Sequence, residues 1–371
     1  MTTPPFEIFL VCPPGLEPVL AEEARAHGFQ SVRAEAGGVA IAGGWEDVQR
    51  ANLVLRGASR VLARMARFGA AHLAQLDKRA RKIDWASVLR RDVPVKVEAS
   101  CKGSRIYHAG AAAERVANAI QDRIGAPVTA EAQVRLLVRI QKNLCTISVD
   151  TSGEPLHKRG FKEAVAKAPM RETLASLFLR ACGYHGTEPV LDPMCGSGTF
   201  VIEAAEMAAG LHPGRVRAFA FEQLAVFDPS AWGEQKAQRP TPHETGLKFH
   251  GSDRDAGAAR MAGQNAARAG VAELCRFTAA AVKDLQRPDG PPGLVIVNPP
   301  YGDRVGNRGA LVGVHRTLGQ VLRERFAGWR VGLITSETAL AKATGLPFDP
   351  PGPFVDHGGL KIRLHQTRPL D

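Results

Sequence analysis

The chain has 371 residues, 44% of them apolar, and a formal charge of +11. That length is enough for two or three domains with their own cores. No apolar run approaches a membrane span, and the start, Met1 to Glu7, lacks the basic-then-apolar pattern of a secretory signal.

The charge is uneven. Residues 1–170 hold 25 Lys+Arg against 17 Asp+Glu, a net +8, and the remainder holds 23 against 20, a net +3. A basic first half suits a polyanion, and a nearly balanced second half suits a catalytic domain. Arginines can also simply decorate solvated helix faces. The six cysteines form no C-x-x-C pair and are irregularly spaced. They predict free thiols in a reducing cytosol, hence a cytoplasmic protein with no metal centre.

In chain order, Glu7 to Val11 reads as a strand, and Leu16 to Ala26 reads as a helix with Leu16, Val19, Leu20 and Ala24 on one face. Val39 to Ile41 follows a Gly-Gly turn as a short strand, and Trp45 to Leu55 is helical. Arg60 to Phe68 alternates basic and apolar residues, so a half-buried strand with a basic outer face is expected. Leu73 to Leu89 is helical in part. Val93 to Ser100 is a strand, Ala111 to Arg123 a helix, and Gln133 to Ile140 and Leu144 to Thr151 a strand pair. This is an α+β unit.

Gly153 to Pro169 is a basic linker. Beyond Met170, strands at Val190–Leu191, Leu247–Gly251, Cys275–Phe277, Leu294–Val297 and Val331–Ile334 alternate with helices at 200–209, 256–269 and 311–326. The expected fold class is α/β, with a mostly parallel sheet.

Two motifs carry chemistry. Asp192-Pro193-Met194-Cys195-Gly196-Ser197-Gly198-Thr199 is a glycine turn after an apolar strand, where open α/β sheets bind ligands. Its spacing is not the dinucleotide fingerprint. Asp253 closes the next strand, where a carboxylate can accept ribose hydroxyls, cap a helix, or do both. Asp284 lies beyond the following strand; it either accepts from an adenine amine or serves a turn.

Asn298-Pro299-Pro300-Tyr301 is the strongest signal. An exocyclic amine conjugated to a purine is a poor nucleophile. The Asn298 carboxamide oxygen and the Pro299 carbonyl are placed to accept its two N–H bonds and free its lone pair. The prolines stiffen the loop, and Tyr301 offers a ring to stack on the base. Methyl transfer from S-adenosylmethionine to such an amine needs positioning, with no metal and no covalent step.

With these motifs the chain resembles class I RNA methyltransferases carrying a THUMP domain. It is most similar to the N-terminal, guanine-N2-methylating half of the bacterial 23S rRNA methyltransferases of the RlmL type. The resemblance rests on Gly15-Leu16-Glu17, Gly37-Gly38-Val39, Leu156 to Phe161, Ala168 to Ala175, Asp192 to Thr199, and Asn298 to Gly302 with Asp303-Arg304. It covers almost the whole chain.

The resemblance implies a Rossmann-like class I methyltransferase domain after an α+β ferredoxin-like/THUMP RNA-binding region. The expected divisions are 1–55 ferredoxin-like, 56–153 THUMP, 154–169 linker and 170–371 methyltransferase. It assigns Asp192 through Thr199, Asp253 with Arg254, Asp284 and Asn298 to the cofactor, and Asn298 through Tyr301 to the target base. It implies an RNA partner, with 23S rRNA favoured over tRNA. Lys102 and Arg105, in a loop suited to phosphate or simply an exposed turn, and Lys158, Arg159 and Lys162 in the linker are the expected RNA contacts.

Two-headed RlmL proteins carry a second methyltransferase domain beyond the matched region, whereas this sequence runs to Asp371. The first half is poor in aromatics, so RNA capture would rest on Lys and Arg. The long stretch from Asp192 to Asp253 contains Phe219, Phe221, Phe227 and Trp232. It reads as an insert packing on the sheet, with a cap over the target base as the alternative. The rival functions are tRNA guanine-N2 methylation, DNA adenine-N6 methylation and a non-catalytic ribosome-assembly role.

Overall fold

The structure is a computed structural model that describes residues 5–161, 170–237, 245–301 and 308–371. In chain order its elements are β1 (Phe6–Val11), α1 (Glu17–Ala26), β2 (Gln30–Glu35), β3 (Gly38–Gly43), α2 (Trp45–Val54), β4 (Arg60–Gly69), α3 (Leu73–Ala80), β5 (Val95–Lys102), α4 (Ala109–Ile124), β6 (Val134–Gln141) and β7 (Leu144–Asp150). There follow α5 (Glu172–Ala181), β8 (Val190–Asp192), α6 (Thr199–Ala208), α7 (Pro229–Ala237), β9 (Phe249–Asp253), α8 (Ala256–Ala269), β10 (Cys275–Ala279), β11 (Leu294–Val297), α9 (Arg308–Arg325), β12 (Arg330–Thr335), α10 (Thr338–Ala343), β13 (Val355–His357) and β14 (Leu360–Gln366). Among the described residues no helix is long and apolar enough to cross a membrane.

The chain forms two compact units. The first comprises 1–12, 21–156 and 217–239, and the second 13–20, 157–216 and 240–371.

The first unit is built on a seven-stranded sheet in the order β2-β3-β1-β4-β7-β6-β5. β4 pairs antiparallel with both β1 and β7, so the segments expected as 1–55 and 56–153 share one continuous sheet. Alternation sets its inner face: in β6, Val134, Leu136, Val138 and Ile140 are buried while the residues between them are not. β2 was not legible as a strand. Its sequence QSVRAE is polar, and it is an edge strand with mostly exposed side chains.

The basic face of β4 is largely neutralised inside the sheet. Arg60 pairs with the buried Asp150, and Arg64 pairs with Glu7 and Glu35. Arg67 remains exposed.

The aromatic insert completes this first unit. The Phe221 amide donates to the Thr151 carbonyl at 3.0 Å, and the Ala225 amide donates to the Val88 carbonyl at 2.8 Å. Phe219 and Phe221 stack with centroids 5.2 Å apart, and Trp232 meets Phe221 edge-on at 5.0 Å. Arg217 lies over the Phe219 ring and donates to the carbonyls of Ser152, Glu154 and Pro155. Backbone groups of the first unit thus recruit the insert.

The second unit carries a seven-stranded sheet in the order β10-β9-β8-β11-β12-β14-β13. Strands β8 to β12 are mutually parallel, and β14 joins β12 antiparallel. All four residues of β11 are buried, as expected for an apolar run covered on both faces. From β8 the chain proceeds outward to β9 and β10, then returns to β11 on the other side of β8. The order therefore reverses between β8 and β11, the place where open α/β sheets gather ligands.

Candidate active site

The carboxyl ends of β8, β9, β10 and β11 point the same way because these neighbouring strands are parallel. Each end delivers one candidate residue or motif. Asp192 ends β8, Asp253 ends β9, Asp284 follows β10, and Asn298 follows β11.

Asp192 is 2% exposed, and its Oδ1 accepts the Met194 amide at 3.0 Å. Burial pushes its carboxyl up to about 8, and the nearby Asp253 charge adds to the shift while the Met194 amide opposes it. Pro193, Cys195, Ser197 and Thr199 are buried beside it, and Met194 and Gly196 are half-buried. The Cys195 amide donates to the Ser252 carbonyl at 2.9 Å, tying the turn to β9. Burial and the two neighbouring carboxylates push the Cys195 thiol up, so it is no nucleophile.

Gly198 caps α6 with φ of +84°, and a Cβ there would come within 2.9 Å of Ala262 and 3.2 Å of the Phe277 ring. Only glycine satisfies both the left-handed backbone and the close approach.

Asp253 is bonded on both oxygens. Oδ2 accepts the Gly196 amide at 3.0 Å, and Oδ1 accepts the Asp255 amide at 3.0 Å. It is not the helix cap: that role belongs to Asp255, whose side chain accepts the Gly257 amide. Asp253 therefore braces the glycine turn from the adjacent strand. Arg254 is exposed on the same turn, and Asp284 is exposed in a short 3-10 turn after β10.

At the tip of β11, Asn298 is half-buried, Pro299 is buried, and Pro300 and Tyr301 are half-buried. Burial pushes the Tyr301 phenol up to about 12, partly offset by hydrogen bonding from the Asn298 side chain. The Asn298 carboxamide oxygen is buried and has no partner among the described residues. A buried amide oxygen without a donor costs about 1–3 kcal/mol. A visiting N–H group would remove that cost.

Two polar residues were missed by sequence reasoning. Asn265 is fully buried and its Nδ2 donates to the Ser197 carbonyl at 3.0 Å, and Arg268 donates both to Asn265 and to the Phe161 carbonyl. The signal was present: Asn265 sits on the buried alanine stripe of α8, with Ala258, Ala259, Ala262, Ala266 and Ala269. A lone carboxamide on such a stripe must have a polar partner.

The linker expectation divides. Lys158 is exposed. Arg159 is not an RNA contact: it is 2% exposed and pairs with the equally buried Glu203 of α6, Nε to Oε1 at 3.1 Å. A basic run does not reveal a carboxylate 44 residues away that draws one of its members inward. Lys162, Gly302, Asp303 and Arg304 lie outside the described residues. In the first unit, Lys102 and Arg105 are exposed.

Asp192 makes stability pH-dependent. Unfolded, it releases its proton near 3.8; folded, it holds that proton to about 8. Between those values the unfolded state carries fewer protons, so stability falls as pH rises, by at most about 1.4 kcal/mol per pH unit from this group. Asp192→Asn removes the term. Its thermal melts without cofactor should show a flatter decline from pH 5 to pH 8 than the parent. An unchanged slope would count against a protonated Asp192.

Parallel strand tips that bring together a braced glycine turn and an Asn-Pro-Pro-Tyr loop define a Rossmann-like methyltransferase. The chain belongs to the RMKL-like methyltransferase domain family, which matches residues 159–347. The RlmL ferredoxin-like domain matches residues 7–62, and the THUMP domain matches residues 70–150.

Among solved structures, a possible methylase from Clostridium difficile 630 is 28% identical, with a TM-score of 0.90 over 99% of each chain. A predicted N6-adenine-specific DNA methylase from Listeria monocytogenes str. 4b F2365 is 29% identical, with a TM-score of 0.89 over 98% of this chain and 96% of that one. SMU.472, a putative methyltransferase complexed with SAH, shares the fold at 24% identity and a TM-score of 0.90, over 100% of this chain and 99% of that one.

Proposed function

We propose that this protein methylates the exocyclic N2 amine of a guanine in RNA, with 23S rRNA as the target and S-adenosylmethionine as the donor, in the cytoplasm. The observation that carries the reading is the buried Asn298 oxygen, without a partner among the described residues, at the tip of the strand beside that of Asp192, where the strand order reverses.

The residues at the strand tips suit the cofactor. Glycines 196 and 198 give the turn its left-handed backbone, and Asp253, already fixed by the Gly196 amide, keeps acceptor capacity for ribose hydroxyls. Asp192, Arg254 and Asp284 complete the rim. When bound, S-adenosylmethionine supplies an electrophilic methyl group.

The chain's own residues do the rest. Asn298 Oδ1 and the Pro299 carbonyl accept the two N–H bonds of the target amine and turn its lone pair outward. Pro300 keeps the loop stiff, and the Tyr301 ring stacks on the base. Tyr301 stays protonated at neutral pH, so it positions the base and does not remove a proton. The catalytic contribution is orientation and electrostatic pre-organisation.

The same loop chemistry would serve adenine N6 in DNA. The THUMP match over 70–150 and the excess of cations in residues 1–170 favour RNA. In this reading the first unit holds RNA, with Lys102 and Arg105 among the contacts, Lys158 of the linker adds a further one, and the methyltransferase domain of the second unit transfers the methyl group. tRNA is the rival substrate of the same chemistry.

The test is methylation of purified 23S rRNA, tRNA and DNA side by side, with the product nucleoside identified by mass. N2-methylguanosine in rRNA is the expected product. Methyl groups on tRNA alone or on adenine would replace the target, and no transfer to any of the three would remove the function. Asp253→Ala should weaken S-adenosylmethionine binding by about 1–3 kcal/mol through lost hydrogen bonds and a loosened glycine turn. Unchanged affinity by calorimetry would confine Asp253 to folding.

A further inference from the structure

In the first unit, β5 runs into a loop from Lys102 to His108 before α4 begins. Three anchors hold it. The Arg105 amide donates to Asn143 Oδ1 at 2.8 Å, and the Asn143 amide donates in turn to Ser104 Oγ at 3.0 Å. The Ile106 side chain is buried. The His108 ring accepts the Ala111 amide at 3.0 Å and caps α4.

Between the second and third anchors stands Tyr107, 84% exposed, the most exposed large apolar side chain among the described residues. A ring on a free loop can turn back to cover one face. Here the residues on both sides are fixed, and the ring stands in water.

Three cations stand on this loop and on the turn beside it. Lys102 and Arg105 are exposed on the same loop, and Lys142 is exposed on the β6–β7 turn. The Lys142 amide donates to the Lys102 carbonyl at 3.2 Å, which sets turn and loop side by side. Among the described residues these three cations form no ion pair, whereas Arg60, Arg64, Arg81, Arg90 and Arg135 in the same unit are all paired with carboxylates. The loop and turn thus carry unpaired cations and an exposed aromatic ring together.

We propose that Tyr107 is a stacking platform for an unpaired base of the RNA, with Lys102, Arg105 and Lys142 on the flanking phosphates. This rests on the RNA reading above and adds a substrate feature: a single-stranded segment beside the methylated region. The chemistry selects this ligand. Every base has a π-face, and a ring beside cations meets base and backbone together. A duplex would satisfy the cations but hides its base faces.

The test uses the full-length protein with two labelled RNAs, a blunt stem-loop and the same stem-loop with a short unpaired overhang carrying 2-aminopurine. The parent should bind the overhang RNA more tightly and quench its fluorescence. Tyr107→Ala should lose about 5- to 150-fold of affinity for that RNA, lose the quenching, and keep its affinity for the blunt stem-loop. Tyr107→Trp should restore both. Melting temperature and S-adenosylmethionine affinity should not move, because the exposed ring supports no core. Equal binding of the overhang RNA by Tyr107→Ala and the parent would overturn the proposal while leaving the RNA reading intact. A parent protein that binds neither RNA would instead remove the RNA reading itself.

Discussion

Asn298→Ala should lower methyl transfer by about 100-fold or more while S-adenosylmethionine affinity stays within a few-fold. Losing a single pre-organised polar group typically costs that much in rate. The residue stands at the tip of β11, and its oxygen lacks a partner among the described residues, so truncation breaks no hydrogen bond to that oxygen. What is lost is an acceptor that acts only when the target amine is present, together with the Asn298 hydrogen bond to Tyr301. Single-turnover rates with saturating cofactor, read beside calorimetric cofactor affinity, separate the two effects. Near-normal turnover would mean that the amine is oriented by some other group.

The second large effect concerns folding. Phe221→Ala should destabilise the first unit by about 3–5 kcal/mol, the usual cost of removing a buried aromatic ring. Phe221 is 1% exposed and packs between Phe219, Phe227 and Trp232. Its amide is bonded to Thr151 in that unit. The loss should appear in hydrogen exchange of β6 and β7 and in RNA binding. A fragment cut at residue 154 would keep these rings but lose the backbone that pairs with them, so it should aggregate where the intact chain does not. If Phe221→Ala melted like the parent, the insert would be a surface decoration.

Much of the candidate site's placement was legible because its residues follow continuous apolar strands. Val190–Leu191 ahead of Asp192, and Leu294–Val297 ahead of Asn298, mark strand ends whose next residues lie at the carboxyl end of the sheet. The less legible parts depend on partners far along the chain. Nothing local says that Arg159 turns inward to Glu203, or that Asn265 holds Ser197. The aromatic spacing from Phe219 to Trp232 predicts burial but not which sheet provides it. β2 escaped because an edge strand needs no apolar alternation, only the hydrogen bonds of β3.

The segment 217–239 also sets an order of events during synthesis. Domains fold as their residues leave the ribosome, first the N-terminal ones. The sheet of the first unit is fully made by Asp150, yet its aromatic closure waits for Phe219 to Trp232. By then β8, the glycine turn and α6 have also been made, while β9 to β12 have not. The nascent chain therefore passes through a stage with one strand of the catalytic sheet and no neighbours for it, and the first unit becomes complete during that stage. An early pause between residues 150 and 219 would hold an exposed, unfinished sheet. A pause after 239 would hold a finished one.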